Sequence, residues 1–395
     1  MRKLRSFFSN LLIFTLVFVI GFTVLNAIIN RPAKGKDISS DDLYNDGITD
    51  TTYYSQLGPT QQEIYDCLYE TASVGGLSYT FKNINFDLYG EYLNDVVYAL
   101  EHEHPELFWL DGGWIARGMY GIGDNSDSIT VELTTFDFWK YTIDPQKYID
   151  ALNNEINNVA TMAQGLPDDY SKVKFVHDYL VTSASYDHET LEEALKTSHS
   201  ASSEYIFSAY GCLVNKKTVC AGYAKSFMLI LNRLGIPCNY VTGDAGERHG
   251  WNSVILDNDS YYVDVTWDDS DYTDDNGQPL YPNDAEYGLF CITTDELEKT
   301  HTIDNDFIIP EFDAEKYNYY VYQGYYIDSY SFEKLQSVVE RQIDKKIISI
   351  KFSSENELNN AINDIKRWNK IPIIADSENA RYKADKTRYI LTLLL

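Results

Sequence analysis

Three side chains have types and spacing that could share one reaction: Cys220, His249 and Asp264. Cys220 opens the run Cys220-Ala-Gly-Tyr-Ala-Lys-Ser-Phe-Met-Leu-Ile-Leu-Asn-Arg-Leu234, which reads as a helix closed by Gly235 and Pro237. A thiol at a helix N-terminus feels the positive end of the backbone dipole, which favours the thiolate. The unpaired amides of that first turn can receive a developing oxyanion. A lone cysteine is more often a small buried packing residue. The first-turn position, with small Ala221 and Gly222 beside it, favours a nucleophile here.

His249-Gly-Trp-Asn-Ser-Val-Ile-Leu256 and Tyr261-Tyr-Val-Asp-Val-Thr-Trp267 alternate as strands do, and Asp257-Asn-Asp-Ser260 between them is turn-forming. Around a two-residue turn, the parity of positions 249 and 264 puts His249 and Asp264 on one side of the hairpin. Direct opposition needs a turn centred near Leu256–Asp257, whereas Asn258–Asp259 is the natural centre, so a bulge or register shift is expected to close the gap. An imidazole so placed takes the thiol proton and later protonates a leaving amine, while the carboxylate fixes its tautomer and stabilises its charged form. Seven histidines and many aspartates offer accidental matches, so the flanks and spacing carry the specificity.

Those flanks resemble a known family. Thr-Val-Cys220-Ala-Gly-Tyr-Ala-Lys-Ser-Phe, His249-Gly-Trp-Asn252 and Tyr-Tyr-Val-Asp264-Val-Thr-Trp-Asp268 are similar, in order, to the three motifs of the transglutaminase-like superfamily. Leu234-Gly-Ile-Pro237 and Tyr240-Val-Thr-Gly243 resemble its helix-to-strand passage, and Val176-His-Asp-Tyr-Leu180 with Tyr186-Asp187 its lead-in helix. The likeness covers about residues 145–300, and short patches such as His-Pro-Glu-Leu-Phe-Trp resemble membrane-attached bacterial members. It implies an α+β chain with a papain-like core, Cys220 as nucleophile, His249 as base and acid, and Asp264 as orienting carboxylate. The family's eukaryotic crosslinking members hold the oxyanion with an aromatic side chain upstream of the cysteine. No motif places that residue here, and Tyr186, Tyr205 and Tyr210 are its candidates. Tyr205, Trp251 and Asn252 are the candidate substrate or oxyanion contacts, although tryptophans such as Trp251 and Trp267 more often pack than touch substrate.

The elements that must position these groups follow from periodicity. Asp144-Pro145 starts a helix with Tyr148, Leu152, Ile156, Val159 and Ala163 inward, and a second spans about Tyr170 to Ser183. A polar, acidic loop is expected from Tyr186 to about Ser203. Upstream, Pro59 begins a helix that seats Cys67 on a buried face, a second helix stops before Pro105, and residues 128–136 alternate as a strand. Past Pro310 the chain is tyrosine-rich, then shows a strand (Ile347 to Phe352), a helix (Glu355 to Trp368) and a last strand (Tyr389 to Leu395).

Arg2, Lys3 and Arg5 precede an uncharged apolar stretch of 19 residues, Leu11 to Ile29. That is close to the roughly 20 that cross a bilayer and longer than a secretory core, so a single-pass anchor with an extracytoplasmic remainder is expected, or a secreted form if the segment is cleaved. The expected division is a signal anchor (1–32), a polar tether (33–58), an N-terminal α+β domain (59–144), the catalytic domain (145–305) and a C-terminal α+β domain (306–395).

With 32 basic and 60 acidic residues in 395, net charge −28, the chain lacks a basic face for nucleic acid. Its 44% hydrophobic residues suffice for a core. Five scattered cysteines make neither a disulfide framework nor a zinc site, and Cys212 is open between disulfide partner and buried thiol. Glu101-His-Glu-His104 fails metal spacing, residues 268–277 fail the EF-hand pattern, and no P-loop, dinucleotide fingerprint or G-x-S-x-G occurs. No cofactor and no metal are expected, and His177 reads as structural. The expectation is a thiol enzyme that attacks amide bonds of protein or cell-wall peptides. Acyl transfer and hydrolysis are level, and a catalytically idle peptide-binding module is the rival.

Overall fold

The computed structural model describes residues 53–82, 86–119, 128–140, 142–197, 204–269, 285–345, 347–368 and 381–394. The apolar segment at 11–29 and the acidic run from 270 to 277 lie outside them. Among the described residues no helix is long and apolar enough to cross a membrane.

The N-terminal elements are α1 (Pro59–Ser73), β1 (Ser78–Lys82), α2 (Phe86–Glu103), β2 (Leu110–Met119) and β3 (Ser128–Thr135). The strands pair antiparallel in the order β1-β3-β2. Cys67 is half-buried and packs against the core from α1. The end of the expected tether is not solvated: Tyr53 and Leu57 are buried, and Tyr53 donates its hydroxyl to the Tyr240 carbonyl at 2.7 Å. Two aromatic and aliphatic anchors among polar residues make no periodic face, which is why this segment reads as tether in sequence.

The centre is built from α3 (Pro145–Gln164), α4 (Asp169–Ser183) and α5 (Cys220–Arg233) against a five-stranded antiparallel sheet. Its strands are β4 (Cys238–Asp244), β5 (Arg248–Leu256), β6 (Asp259–Val263), β7 (Phe290–Ile292) and β8 (Thr302–Ile303), in the order β8-β4-β5-β6-β7. Asp144 caps α3 through the Lys147 amide and Asp168 caps α4 through the Ser171 amide. α5 carries ten buried residues, so it is packed nearly all round, while Val241, Trp251, Tyr262, Leu289, Ile292 and Leu297 form a smaller core on the sheet's other side.

The expected loop after Tyr186 instead contains a helix, His188–Thr197, with the Thr190 amide on Asp187 Oδ1 at 3.0 Å. Its Leu195 is 74% exposed, so it lacks the buried stripe by which a helix is recognised in sequence. The C-terminal part has β9 (Tyr326–Ile327), α6 (Phe332–Glu340), β10 (Ile347–Phe352), α7 (Glu355–Trp368), β11 (Arg381–Asp385) and β12 (Ile390–Leu394), with sheet order β9-β10-β12-β11. Of these, β9, α6 and β11 were not foreseen. The architecture is α+β, as expected.

The motif Glu101-His-Glu-His104 docks the N-terminal elements onto the centre. Glu101 pairs with Lys225 of α5 at 2.9 Å, and His102 lies 3.1 Å from the Thr242 hydroxyl of β4. Glu103 accepts from the Tyr53 and Tyr54 amides and the Tyr65 hydroxyl, and His104 pairs with Glu106 at 2.7 Å. Glu101 and His102 thus reach the centre, while Glu103 and His104 tie the N-terminal elements together.

Candidate active site

α5 begins at Cys220, with Val219 as the residue before its first turn. Valine has no side-chain oxygen to cap that turn; its carbonyl takes the Gly222 and Tyr223 amides at 3.0 and 3.1 Å, so the Cys220 and Ala221 amides are the ones it leaves for an anion. Gly222 is required by close approach: a Cβ there would collide with Thr218 Oγ1 and the carbonyls of Ile206 and Ser208. Cys220 is half-buried, and all five cysteines, Cys212 included, are free thiols.

The hairpin turns at Asp257 and Asn258, both with positive φ (52° and 71°), as a type I′ turn requires. This centre lies one residue before the expected one. Its register pairs Asn252 with Val263 and Leu256 with Asp259 without a bulge. β6 then ends at Val263 instead of running on to Trp267. Asp264, the next residue, is one diagonal step from His249 on the same side. A diagonal neighbour is within reach of a long side chain, and His249 Nε2 lies 2.8 Å from Asp264 Oδ2. Neither bulge nor register shift within this pair is needed.

A carboxylate only accepts, so Nε2 carries the proton and Nδ1 is the ring nitrogen left over, while the Cys220 thiol lies near enough to the ring to favour its charged form. Burial works against the imidazolium, yet Asp264 and Cys220 outweigh it and hold the His249 pKa at about 10. Burial likewise opposes the Asp264 anion, but His249 and then His301 overcome it and keep the carboxyl well below the usual range. Asp264 Oδ1 accepts from the Thr266 and Trp267 amides at 2.9 and 3.3 Å, so the carboxylate closes its own turn. The arrangement brings together a thiol at a helix start and an imidazole held by a buried carboxylate.

His301, absent from the sequence-based candidates, is 3.2 Å from Asp264 Oδ2 through Nε2. No motif marks it, because it sits 37 residues beyond Asp264 in a separate edge strand's lead-in. The His249, Asp264 and His301 ligand atoms lie within 4.8 Å of one another, close enough to share one cation. Each is already engaged in a hydrogen bond to another member of the group.

The other candidates are corrected by their surroundings. Trp251 is 1% exposed and belongs to the smaller core, so it cannot meet a substrate. Asn252 is fully buried and donates to the Ala224 and Asn239 carbonyls at 2.9 and 3.1 Å, tying β5 to α5. Tyr205 stacks on Phe138 at 4.1 Å and lies 5.6 Å from Tyr210. Tyr186 lies near the thiol: burial and then the charges of Cys220, Glu247 and Asp264 push its phenol pKa up, and buried Tyr240 feels the same thiol. A short parallel ladder pairing Tyr186 with Thr218 holds it there, two residues before the cysteine.

Residues 157–266, which contain all three motif residues, match the family model of the transglutaminase-like superfamily. The chain contains a transglutaminase-like domain. Among solved structures, the chain is similar to a TGase (19% identity, 41% of this chain and 47% of that one, TM-score 0.30). It is also similar to a "putative cysteine protease" from Cytophaga hutchinsonii (14%, 39% and 64%, TM-score 0.24) and a "putative protease" from Parabacteroides distasonis (12%, 38% and 36%, TM-score 0.21). The chain spans less than two thirds of the length of each. No curated protein matches it.

Proposed function

We propose that this transglutaminase-like domain is a thiol enzyme acting on amide bonds of proteins or peptides through an acyl-enzyme on Cys220. The observation that carries this reading is His249, hydrogen-bonded to Asp264 through Nε2, with the Cys220 thiol near enough to favour the charged form of the same ring. In the first step the sulfur–carbonyl bond forms as the thiol proton passes to His249. The tetrahedral oxyanion is met by the first-turn amides of α5 and the Tyr186 hydroxyl. The carbon–nitrogen bond then breaks, and the His249 proton leaves with the amine. Water or a second amine next attacks the thioester, giving its proton to His249 and restoring the thiol. Asp264 stays ionised throughout and holds the ring.

The 19-residue apolar segment near the N-terminus supports a membrane-anchored enzyme with its catalytic part outside the cytoplasm. Surface proteins or cell-wall peptides are then the substrates within reach. The test gives purified full chain and a Cys220→Ala control a protein mixture and a labelled primary amine, with products read by mass spectrometry. Cysteine-dependent amine incorporation makes it an acyltransferase, and cysteine-dependent cleavage or deamidation without incorporation makes it a hydrolase. Equal products from both proteins would sink the enzyme reading.

A further inference from the structure

Asp264 has three donors without His301: His249 and the amides of Thr266 and Trp267. A fourth, buried donor on the same carboxylate is not needed for satisfaction. The fold nevertheless builds a place for it. β8 pairs with the end of β4, Thr302 opposite Asp244 and Ile303 opposite Gly243. Gly243 permits this approach, since a Cβ there would collide with the Thr302 carbonyl and the Trp251 ring. Asp304 clamps the strand to Thr242 at 2.6 Å and to Arg248 at 2.7 Å. These ties set the ring of His301 5.0 Å from Trp251 and 4.7 Å from Trp267, with its second nitrogen 2.8 Å from the Thr300 hydroxyl. The ring has one place to go, and there it donates to the oxygen that His249 also uses.

We propose that His301 is a positioning residue for the reaction: its Nε2–H locks the Asp264 carboxylate and draws charge from Oδ2, so that His249 is oriented yet still gives up its proton. The proposal rests on the acyl-enzyme reading above. Its physical basis is competition at one oxygen. A donor on a carboxylate stabilises the anion and weakens its pull on a second donor. With His301 absent, Oδ2 of Asp264 is left to His249 alone, whose imidazolium becomes harder to deprotonate, and the carboxylate loses one restraint on its rotation. The other titratable groups facing this cluster are Cys220 at the start of α5, and Tyr186 and Glu247 at its open side.

The experiment titrates the His249 ring by NMR of histidine-labelled full chain. It compares the wild type, Cys220→Ala, and Cys220→Ala carrying His301→Leu or His301→Gln. In the Cys220→Ala background the thiol no longer bears on the ring. His301→Leu is expected to raise the His249 midpoint by roughly half a unit to one unit, the equivalent of one neutral hydrogen bond. Gln places an N–H where Nε2 stood and is expected to leave the midpoint in place. On the Cys220 enzyme, His301→Leu lowers kcat with KM unchanged and moves the alkaline limb of the rate profile upward, and His301→Gln restores both. If the leucine variant does not fold, His301→Asn, whose amide stops short of Asp264, takes its place. A midpoint unmoved or lowered in the variant lacking the donor overturns the proposal while leaving the acyl-enzyme reading intact. A His249 ring that ignores the Cys220→Ala change overturns that reading instead.

Discussion

At Asp264 one carboxylate is shared by two histidines, whereas at His177 one histidine is shared by two carboxylates. His177, fully buried in α4, lies 3.1 Å from Asp178 and 3.3 Å from Asp268. Asp178 also takes Lys174 and the Tyr287 hydroxyl, and Asp268 takes the Leu289 amide at 3.0 Å. Both ring nitrogens of His177 face carboxylates, Nδ1 in a hydrogen bond to Asp178 and Nε2 opposite Asp268, and the fully buried ring is closed to a substrate. His249 spends one nitrogen on Asp264 and has the other left over, with Cys220 near the ring. The same residue types and comparable burial therefore give a fastener in one place and, on the proposed function, a proton carrier in the other. One turn joins the two clusters: the Asp268 amide donates to the Asp264 carbonyl at 3.3 Å, so the fastener anchors the segment that carries Asp264.

Substitution at the two clusters should separate these roles. The largest effect belongs to Asp264→Asn, which removes the charge that selects the tautomer and stabilises the imidazolium. It should lower kcat on the order of 10⁴-fold. Steady-state rates on whichever substrate the amine-labelling experiment identifies, normalised to folded protein, would measure it. A loss below tenfold would mean that Asp264 is no more than another fastener.

His177→Gln should act in the opposite register. Removing one partner of a buried ionic cluster costs about 3–5 kcal/mol of stability. Chemical denaturation should show this as a lowered midpoint, while kcat per folded molecule falls far less than in Asp264→Asn. If His177→Gln instead leaves the midpoint alone and abolishes turnover, the division between fastener and proton carrier is wrong.

Tyr186→Phe tests whether the open side of the catalytic cluster contributes beyond the three motif residues. Loss of one oxyanion donor costs about 10²–10³-fold in kcat. Tyr205→Phe, at a ring stacked on Phe138 away from these contacts, serves as its control and should leave kcat unchanged. Equal effects from the two would remove Tyr186 from the oxyanion site.

Much of the catalytic cluster was legible because its parts obey short-range rules. A helix start announces Cys220, and strand parity places His249 and Asp264 on one side. The turn centre was misjudged by one residue because the positive φ of Asp257 and Asn258 is a matter of turn geometry that Asp and Asn both tolerate. His301 was invisible for a different reason: it arrives through an edge strand of two residues whose pairing with β4 no local pattern encodes. Trp251 and Asn252 sit in the right motif yet face the smaller core and α5. A motif names neighbours in sequence and cannot say which of them reach the cleft. The fastener was read as structural, but its second carboxylate, Asp268, becomes its partner only when β6 ends at Val263 and the chain turns back.

The smallest effect, and the one that most sharpens the contrast, is in the pH dependence of stability. Burial raises the Asp268 carboxyl from 3.8 to about 6 against the pull of His177. The folded chain thus binds this proton more tightly than the unfolded one, so the contribution is complete below about pH 3.8 and is lost as pH climbs through about 6. His177, which burial would lower but whose two carboxylates raise it, acts in the same sense, with stabilisation full below 6.5 and fading above. Asp264 and Asp178, held low, contribute above 3.8 and lose that contribution only in acid. Asp268→Asn deletes one titration and keeps an oxygen for the Leu289 amide. Between pH 4 and 6 the wild type should therefore lose stability relative to this variant, by at most about 3 kcal/mol. Denaturation of both proteins across that range reads the difference directly. A constant difference would mean that Asp268 is ionised throughout and that the fastener is an ordinary ion pair, whereas a difference that moves against the wild type as pH rises shows a carboxyl held protonated by the fold, the reverse of what the same turn does to Asp264.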